Sequence, residues 1–341
     1  MKINERKIDD VSFITLDNEH GMNIILSTLG ASIYQLEVAD RHNHMESVIL
    51  TPSSLNDFYY NDGYHGKVVG RFSGRIDDAK CTINNVTYNL DKNWKGINSL
   101  HGGNKGISFS NFNYQIKENS DNVEVLFTFL EKEELLPGDV NYNITYVISK
   151  TKLDFTILFN ATTNKDTIVN MTNHAYFNLS GDAKDTILNH KLKLNCPYYT
   201  NLNNNLITTS IDKVNKIMDF TKFKKIKKHI NDESLINHTA NGYDHCFIKE
   251  NSKDDVIAIL KDDKTKRKLT IKTSYPSIVV YTCNYPSDFD FNMNHIKISK
   301  HHGICLECQY VPNGINMDNV NKAILRKDEK YNEYINYHFD N

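Results

Sequence analysis

The chain has 341 residues, of which 39% are hydrophobic and 24% are charged, and its formal net charge is -2. This composition is that of an ordinary globular protein with enough apolar side chains for a sizeable core. The near-neutral charge gives no general attraction to nucleic acid or to an anionic membrane, so neither is expected as a partner, and small neutral ligands suit the chain better.

The N-terminal stretch MKINERKIDDVSF is charged and lacks the apolar run of a secretory signal, and no later window approaches the ~20 apolar residues of a membrane helix. We therefore expect a cytoplasmic protein, as a monomer or a homodimer. The six cysteines are too sparse for a disulfide scaffold, so buried free thiols are expected instead.

A short helix and two polar turns follow the N-terminal strands. SSLNDFYY starts with a serine that can cap a helix. GRFSGR places Arg71 and Arg75 four residues apart near glycines, and Arg75 offers a forked donor either to ligand hydroxyls or to a structural carboxylate. NSLHGG sets His101 before two glycines, which let the imidazole approach a ligand closely, although an ordinary turn histidine is the alternative.

The middle of the chain alternates apolar and polar residues with a period of two. The pattern is clearest in NVEVLFTF, NYNITYVIS and KLDFTILFN, and the turn-forming LPGDV connects the first of these segments to the second. Period-two alternation broken by turn signals predicts an antiparallel meander.

The next segment, TNHAYFNLSG, surrounds a histidine with asparagines and aromatic residues. Strand parity puts Thr172, His174 and Tyr176 on one side, with Asn173 and Ala175 on the other. Aromatic rings beside hydrogen-bonding groups suit the apolar faces and hydroxyl rims of a sugar ring. A histidine that merely fills space in the core is the alternative.

Three further elements lead toward the last strands. The basic run KFKKIKKHI is best explained as a solvated loop. In NGYDHCF, Asp244 begins a strand after a glycine turn, where it can accept hydrogen bonds from sugar hydroxyls or from turn amides. DVIAILKDDKTKRKLTIKTS predicts a hairpin with a polar tip, and SIVVYT predicts an apolar strand.

The segment GICLECQYV supplies the clearest candidate for a general base. Parity separates Ile304, Leu306, Cys308 and Tyr310 from a second set on the opposite face, which is Cys305, Glu307 and Gln309. Glu307 therefore leaves the core face, and it suits a general base if that face borders a groove rather than bulk water.

The sequence contains no convincing cofactor-binding motif. The C-x-x-C of CLEC puts its cysteines on opposite faces of a strand and has no second pair, and no phosphate-binding or dinucleotide-binding loop is present. No metal and no cofactor are expected.

Helical signals are scarce, and the sequence shows no βαβ alternation, no repeat and no long linker. The expected fold is therefore all-β: one large, mostly antiparallel β-sandwich in which residues 1–341 form a single domain.

Five motifs occur together and in order: GRFSGRI, LHGG, TNHAYFNLSG, GYDHCF and LECQYVPNGIN. In this order they resemble the aldose 1-epimerase (galactose mutarotase) family over nearly the whole chain. The resemblance implies the family's β-sandwich, called a supersandwich, and interconversion of the α and β anomers of a free aldose such as galactose or glucose. It implies Glu307 as catalytic base and His174 as catalytic acid. The residues expected to contact the sugar are Gly74, Arg75, His101, Tyr176 and Asp244.

The chain departs from the family pattern at four positions. Gly74 stands where the family often has Asn before the arginine, and Val279 stands where it often has Gln. Cys308 replaces the usual Thr after the glutamate, and Asn313 replaces the usual Asp after Pro312. The loss of a hydroxyl contact at Val279 bears on the preferred sugar and its affinity, whereas both proton-transfer residues are present.

Anomer exchange needs one proton removed from the C1 hydroxyl and one delivered to the ring oxygen. We expect an ionised Glu307 and a protonated His174, with an ordinary pKa of about 6.5, to do this from opposite sides of the pyranose. Four alternatives remain. They are a glycoside hydrolase, which normally uses two carboxylates, an epimerase of hexose 6-phosphates, which needs extra basic residues, a non-catalytic sugar-binding module, and a structural interaction protein with an exposed apolar patch.

Overall fold

The structure is a computed structural model that describes residues 1–60, 62–236, 240–250 and 255–341. Strands dominate these ranges, and the pairings within the main sheets are antiparallel. Helix is confined to short segments. The prediction of an all-β, mostly antiparallel protein is confirmed.

The elements are as follows in chain order. The first ten strands are β1 Lys2–Ile8, β2 Val11–Asp17, β3 Met22–Ser27, β4 Ser32–Ala39, β5 Met45–Ser47, β6 Val68–Val69, β7 Arg75–Ile76, β8 Lys80–Ile83, β9 Val86–Asn89 and β10 Ser99–Leu100. The next ten are β11 Asn113–Glu118, β12 Asn122–Glu131, β13 Val140–Ser149, β14 Asp154–Thr163, β15 Thr167–Ile168, β16 Thr172–Asn173, β17 Tyr176–Phe177, β18 Lys191–Leu194, β19 Tyr198–Leu202 and β20 Thr208–Lys213. The last ten are β21 Lys224–Lys225, β22 Asp244–Ile248, β23 Val256–Lys261, β24 Lys268–Thr273, β25 Ser277–Tyr281, β26 Asp290–Phe291, β27 Ile296–Lys297, β28 Ile304–Gln309, β29 Ile324–Leu325 and β30 Tyr331–Asp340. Two α-helices are found within the described ranges, α1 Leu55–Tyr60 and α2 Glu233–Ile236.

Three sheets carry most of the strands. A nine-stranded sheet has the order β11-β12-β13-β14-β30-β24-β23-β18-β21, a six-stranded sheet has the order β17-β28-β25-β22-β19-β20, and β1 to β5 form a five-stranded sheet. The predicted meander is β12, β13 and β14, the predicted hairpin is β23 with β24, and the predicted apolar strand is β25.

The main hydrophobic core lies between these sheets. One apolar cluster includes Leu26 of the five-stranded sheet, Phe127 of the nine-stranded sheet and Leu306 of the six-stranded sheet. Each is buried, and full burial of such a side chain contributes roughly 1.5–3 kcal/mol. Alternate residues of each strand therefore hold the layers together, which confirms the predicted β-sandwich.

Helix α1 begins at its predicted serine cap. The Ser54 hydroxyl accepts a hydrogen bond from the Asp57 amide at 3.0 Å and donates one to the Asp57 carboxylate at 2.7 Å. This reciprocal arrangement satisfies an amide that the helix itself leaves unpaired.

All six cysteines are free and buried, as predicted. Cys308 packs in the main core, whereas Cys305 belongs to a separate cluster with Tyr176, so the two thiols of CLEC lie on opposite faces of β28. No helix in the described ranges has the length and apolarity needed to cross a membrane.

The six-stranded sheet places side chains from neighbouring strands in one row. Its register pairs Tyr176 with Cys305, Glu307 with Val279, and Val279 with Cys246. Directly paired residues point to the same face of a sheet. Glu307, Val279 and Cys246 therefore lie side by side across β28, β25 and β22.

Candidate active site

A cleft of about 190 Å³ opens over this row of side chains. All seven residues that the sequence assigned to a site line it: Gly74, Arg75, His101, His174, Tyr176, Asp244 and Glu307. A single water molecule needs only roughly 10–15 Å³, so the cleft has room for a small molecule. The folded chain thus brings residues from four strands and three loops into one cavity.

Glu307 and His174 are adjacent within this cleft. The Nε2 atom of His174 lies 3.6 Å from Oε1 of Glu307, and both residues are buried, with 5% and 3% of their surface exposed. The backbone fixes His174, because its amide donates to the carbonyl of Lys67 at 2.9 Å and its carbonyl accepts from Gly66 at 3.0 Å. The other ring nitrogen, Nδ1, faces the Cys305 thiol at 3.6 Å.

This separation differs from the expected arrangement. The carboxylate and the imidazole were expected on opposite sides of a pyranose, but no sugar ring fits between groups 3.6 Å apart. They lie side by side instead. Two neighbouring groups can face the two oxygens that a pyranose carries on one carbon, which are O1 and the ring oxygen at C1.

Burial also changes the protonation of both groups. Burial raises the pKa of Glu307 to about 8; Asp244 adds to this shift and Arg75 opposes it. Burial lowers the pKa of His174 to about 4, although Asp244 favours the charged form. In the free site at neutral pH the proton therefore resides on Glu307, the reverse of the ionised Glu307 and protonated His174 expected from ordinary pKa values.

The two arrangements differ only in which of the two neighbouring groups holds the single proton. A hydrogen bond to the charged form of a group favours that form. A sugar whose hydroxyls bond the Glu307 carboxylate therefore favours transfer of the proton to His174.

His101 is set as a hydrogen-bond donor. The Gly74 amide donates to its Nδ1 at 3.2 Å, and burial lowers the pKa of His101 well below its usual range. A neutral imidazole whose Nδ1 accepts must carry its proton on Nε2. His101 therefore presents an N–H group, which suits a sugar hydroxyl.

The Gly74 position also explains a departure from the family pattern. Gly74 has φ of +78°, a left-handed conformation that glycine and asparagine adopt most easily. A Cβ atom there would lie 2.6 Å from Cβ of Pro312. Asparagine would satisfy the backbone but would require Pro312 to move, whereas glycine fits without displacement.

His101, His174 and Glu307 also form a group whose ligand atoms lie within 4.8 Å of one another. Two imidazoles and a carboxylate are a donor set that transition metals accept. A histidine that binds metal normally donates its second ring N–H to an acceptor, but the second nitrogen of His101 faces an amide donor. The hydrogen-bond polarity therefore fits sugar hydroxyls better than a metal ion.

Arg75 and Asp244 form an ion pair at the edge of the cleft. Arg75 Nη2 lies 3.1 Å from Asp244 Oδ2, and their side chains are only 16% and 10% exposed. The guanidinium group also stacks over Trp94 at 4.5 Å from the ring centroid. The two predicted sugar-binding residues thus hold each other in place while both line the cavity.

Two aromatic rings flank His174. The ring centroids of Tyr176 and Tyr64 lie 5.1 Å and 6.0 Å from that of the imidazole, and both tyrosines line the cleft. Such rings pack against the C–H faces of a pyranose.

Sequence reasoning missed several residues that line the cleft. Tyr64 and Trp94 lie in loops, where no periodic signal announces an orientation, but Cys246 follows from strand parity with Asp244. Arg71, considered together with Arg75, lies elsewhere: it pairs with Glu131 at 3.1 Å and bonds the carbonyls of the 136–140 turn.

The cleft of this β-sandwich sets a carboxylate beside an imidazole and surrounds them with groups that can bind hydroxyls. Such a site defines a class of carbohydrate-binding proteins that can transfer protons. Comparison with known proteins narrows this class. Residues 12–338 match the family model described as Aldose 1-epimerase. The chain is 31% identical to an aldose 1-epimerase of Streptococcus thermophilus, with 98% of this chain and 97% of that protein covered.

Further comparisons indicate the same family. A galactose mutarotase of Sus scrofa is 30% identical over 91% of this chain and 89% of its own length. Among solved structures, a galactose 1-epimerase from Lactobacillus acidophilus superposes with a TM-score of 0.86 at 25% identity, covering 99% of this chain and 98% of that one. An aldose epimerase homologue from C. elegans has a TM-score of 0.87 at 22% identity, covering 97% and 99%, which supports the fold.

The chain belongs to the aldose 1-epimerase family and is an isomerase of the mutarotase type. The predicted family, supersandwich fold and enzyme class are confirmed.

Proposed function

We propose that Glu307 and His174 are the catalytic pair of this mutarotase and that the substrate is a free hexose such as galactose or glucose. The observation that carries the proposal is the 3.6 Å approach of the two buried groups in the cleft. The reaction requires the protein only to move protons to and from the two oxygens bonded to C1.

Ring opening uses the charge-separated form of the pair. The Glu307 carboxylate removes the proton of the C1 hydroxyl while His174 Nε2–H protonates the ring oxygen, and the bond between C1 and that oxygen breaks to give the open-chain aldehyde. The pair then holds its single proton on Glu307, because the carboxylate gained one and the imidazole lost one.

Ring closure starts from that same state. After rotation about the C1–C2 bond, Glu307 returns a proton to the aldehyde oxygen while His174 takes the proton of the C5 hydroxyl. The free site, with its proton on Glu307, therefore has the protonation required for closure. Both halves of the cycle use one shared proton, and neither needs proton exchange with solvent.

The remaining lining residues would orient the sugar. His101 supplies an N–H donor, Arg75 supplies a guanidinium donor and Asp244 an acceptor, while Tyr176 covers an apolar face and the Gly74 backbone allows close approach. Fixing the ring in this way makes both proton transfers intramolecular in effect.

The charge of the cleft argues against a phosphorylated substrate. Among the described residues that line it, Arg75 is the only lysine or arginine, and Asp244 already neutralises it. The partner that lies beside Glu307 is an imidazole rather than the second carboxylate of a typical glycosidase. We further propose that the enzyme acts in the cytoplasm as a monomer or homodimer, with residues 1–341 forming one domain.

Polarimetry tests this function directly. Fresh α-galactose or α-glucose should reach its anomeric equilibrium much faster with the protein than in buffer alone. The single tryptophan of the chain, Trp94, lines the cleft, so sugar binding should also change tryptophan fluorescence. A fluorescence change on addition of sugar, without any change in the mutarotation rate, would favour the non-catalytic sugar-binding module. Release of sugar from a galactoside would favour a hydrolase.

The pH dependence of kcat/KM should be bell-shaped with limbs near the pKa values of the pair, about 4 and about 8. Below the lower limb both groups are protonated, so no base remains. Above the upper limb neither holds the shared proton, so no acid remains. Initial polarimetric rates from pH 3 to 10, corrected for buffer catalysis, measure the profile, and a rate independent of pH across 7–10 would contradict the shared-proton scheme.

Asp244→Asn should shift the alkaline limb toward lower pH. The Asp244 charge raises the pKa of Glu307, so its removal makes the carboxylate easier to ionise. The variant should also raise KM by roughly tenfold, because one carboxylate oxygen that can accept a sugar hydroxyl becomes an NH₂ donor. Arg75→Met should have the opposite effect on the pH profile. Because Arg75 lowers the pKa of Glu307, its loss should move the alkaline limb to higher pH. Limbs that move in the same direction in both variants would contradict this electrostatic account.

A further inference from the structure

Gln309 is a buried amide whose polar atoms have no hydrogen-bond partner. The residue is 0% exposed, yet neither Nε2 nor Oε1 is bonded to any described residue. Leaving a buried donor and acceptor unpaired is costly. Such a group in a native protein calls for a partner outside the chain.

The location of Gln309 indicates what that partner is. Gln309 follows Glu307 by two positions on β28, so the two side chains leave the same face of the strand, and both line the cleft. Its amide therefore lies just beneath the lining of the cleft, beside the catalytic carboxyl group, and a ligand reaches it when the lining side chains shift.

The neighbours of Gln309 cannot satisfy its amide. Cys246, Val279 and Val311 form an apolar cluster, of which Cys246 and Val279 line the cleft. The paired residue on β25, Ser277, already donates its hydroxyl to the backbone carbonyl of Gln309 at 2.6 Å. The donor and the acceptor of the amide thus remain for a group that enters the cleft.

We propose that Gln309 is a further substrate-binding residue, whose amide bonds the hydroxyl groups of the sugar bound over Glu307. An amide offers one acceptor and one donor side by side, and neighbouring hydroxyls of a sugar offer the complementary pair. Because the flanking floor is apolar, Gln309 discriminates between sugars that carry a hydroxyl at its position and those that lack one. The proposal rests on the proposed function of the cleft.

The test substitutes Gln309→Met, which keeps the length of the side chain and removes both polar atoms. KM for galactose or glucose should rise about 5- to 50-fold, and the fluorescence titration of Trp94 should weaken by a similar factor, while kcat and both pH limbs stay near the wild-type values. The melting temperature should rise, because an unpaired buried amide has been removed. An amide with a purely structural role would give a lower melting temperature and an unchanged KM.

A panel of monodeoxy hexoses identifies the contact. The sugar that lacks the hydroxyl bonded by Gln309 should bind the wild-type enzyme more weakly than its parent sugar does. Gln309→Met should bind these two sugars equally well, because the variant has already lost that interaction.

Thr200→Val is the matched control. Thr200 lies on β19, is 0% exposed, and its hydroxyl also has no partner among the described residues, but it does not line the cleft. This change should raise stability without changing KM. Equal KM and binding in Gln309→Met and wild type would overturn the proposal while leaving the mutarotase assignment intact, whereas absence of mutarotation in the wild type would refute the proposed function itself.

Discussion

Glu307→Gln should lower kcat for mutarotation by about 10²- to 10⁴-fold, the usual contribution of a positioned acid or base. Glutamine keeps the shape of the side chain but can neither take the C1 hydroxyl proton nor return it. The loss should appear for every aldose tested, because every substrate exchanges its proton at the same position. Polarimetry of fresh α-galactose gives the rate, and the fluorescence of Trp94 shows whether the sugar still binds.

The same substitution should stabilise the fold at neutral and alkaline pH. The pKa of Glu307 is about 8 in the folded protein against an ordinary 4.5, so the stability contributed by this carboxyl group is present below 4.5 and is lost as the pH rises toward 8. At pH 7 the accumulated loss is about 3 kcal/mol. Urea unfolding should show Glu307→Gln more stable than the wild type at pH 7 to 8 and similar near pH 4.

This comparison separates catalysis from folding. A variant that is more stable, binds sugar and turns over slowly has lost a chemical step. Full activity in Glu307→Gln would remove the carboxylate from the mechanism, and a variant that is destabilised at pH 8 would contradict the raised pKa. Glu131→Gln is a control outside the cleft, since Glu131 pairs with Arg71, and it should leave kcat unchanged.

His174→Asn should reduce kcat by a similar factor of about 10² to 10⁴, because asparagine cannot protonate the ring oxygen. The bell-shaped pH profile should lose the limb that His174 contributes, because Glu307 is then the one member of the pair that still titrates. Pre-steady-state measurement with fresh α-glucose would show slow ring opening while binding remains close to normal.

A second buried histidine provides the control. His190 is 1% exposed and burial lowers its pKa to about 4, as for His174, but it lies outside the cleft and its Nε2 accepts a bond from the Leu179 amide at 3.0 Å. His190→Asn should therefore lower stability and leave kcat unchanged. Equal losses of kcat in both variants would mean that the effect of His174→Asn arises from disturbed packing.

The sequence was most informative where structure is local. Alternation in 122–160 predicted the meander, because a strand turns successive side chains to opposite faces wherever it lies. The same parity placed Glu307 and Gln309 together, away from the core residues Leu306 and Cys308, and the order of five motifs identified the family. Loop residues such as Tyr64 and Trp94 carried no comparable signal.

The sequence by itself thus determined the all-β sandwich, the family and the identity of the candidate acid and base. Only the tertiary structure decided that His174 and Glu307 lie side by side at 3.6 Å, that their proton resides on Glu307, and that the amide of Gln309 is left unpaired. The reason is physical: strand parity is a property of neighbouring residues, whereas distance, desolvation and hydrogen-bond partners depend on which distant strands the fold places side by side.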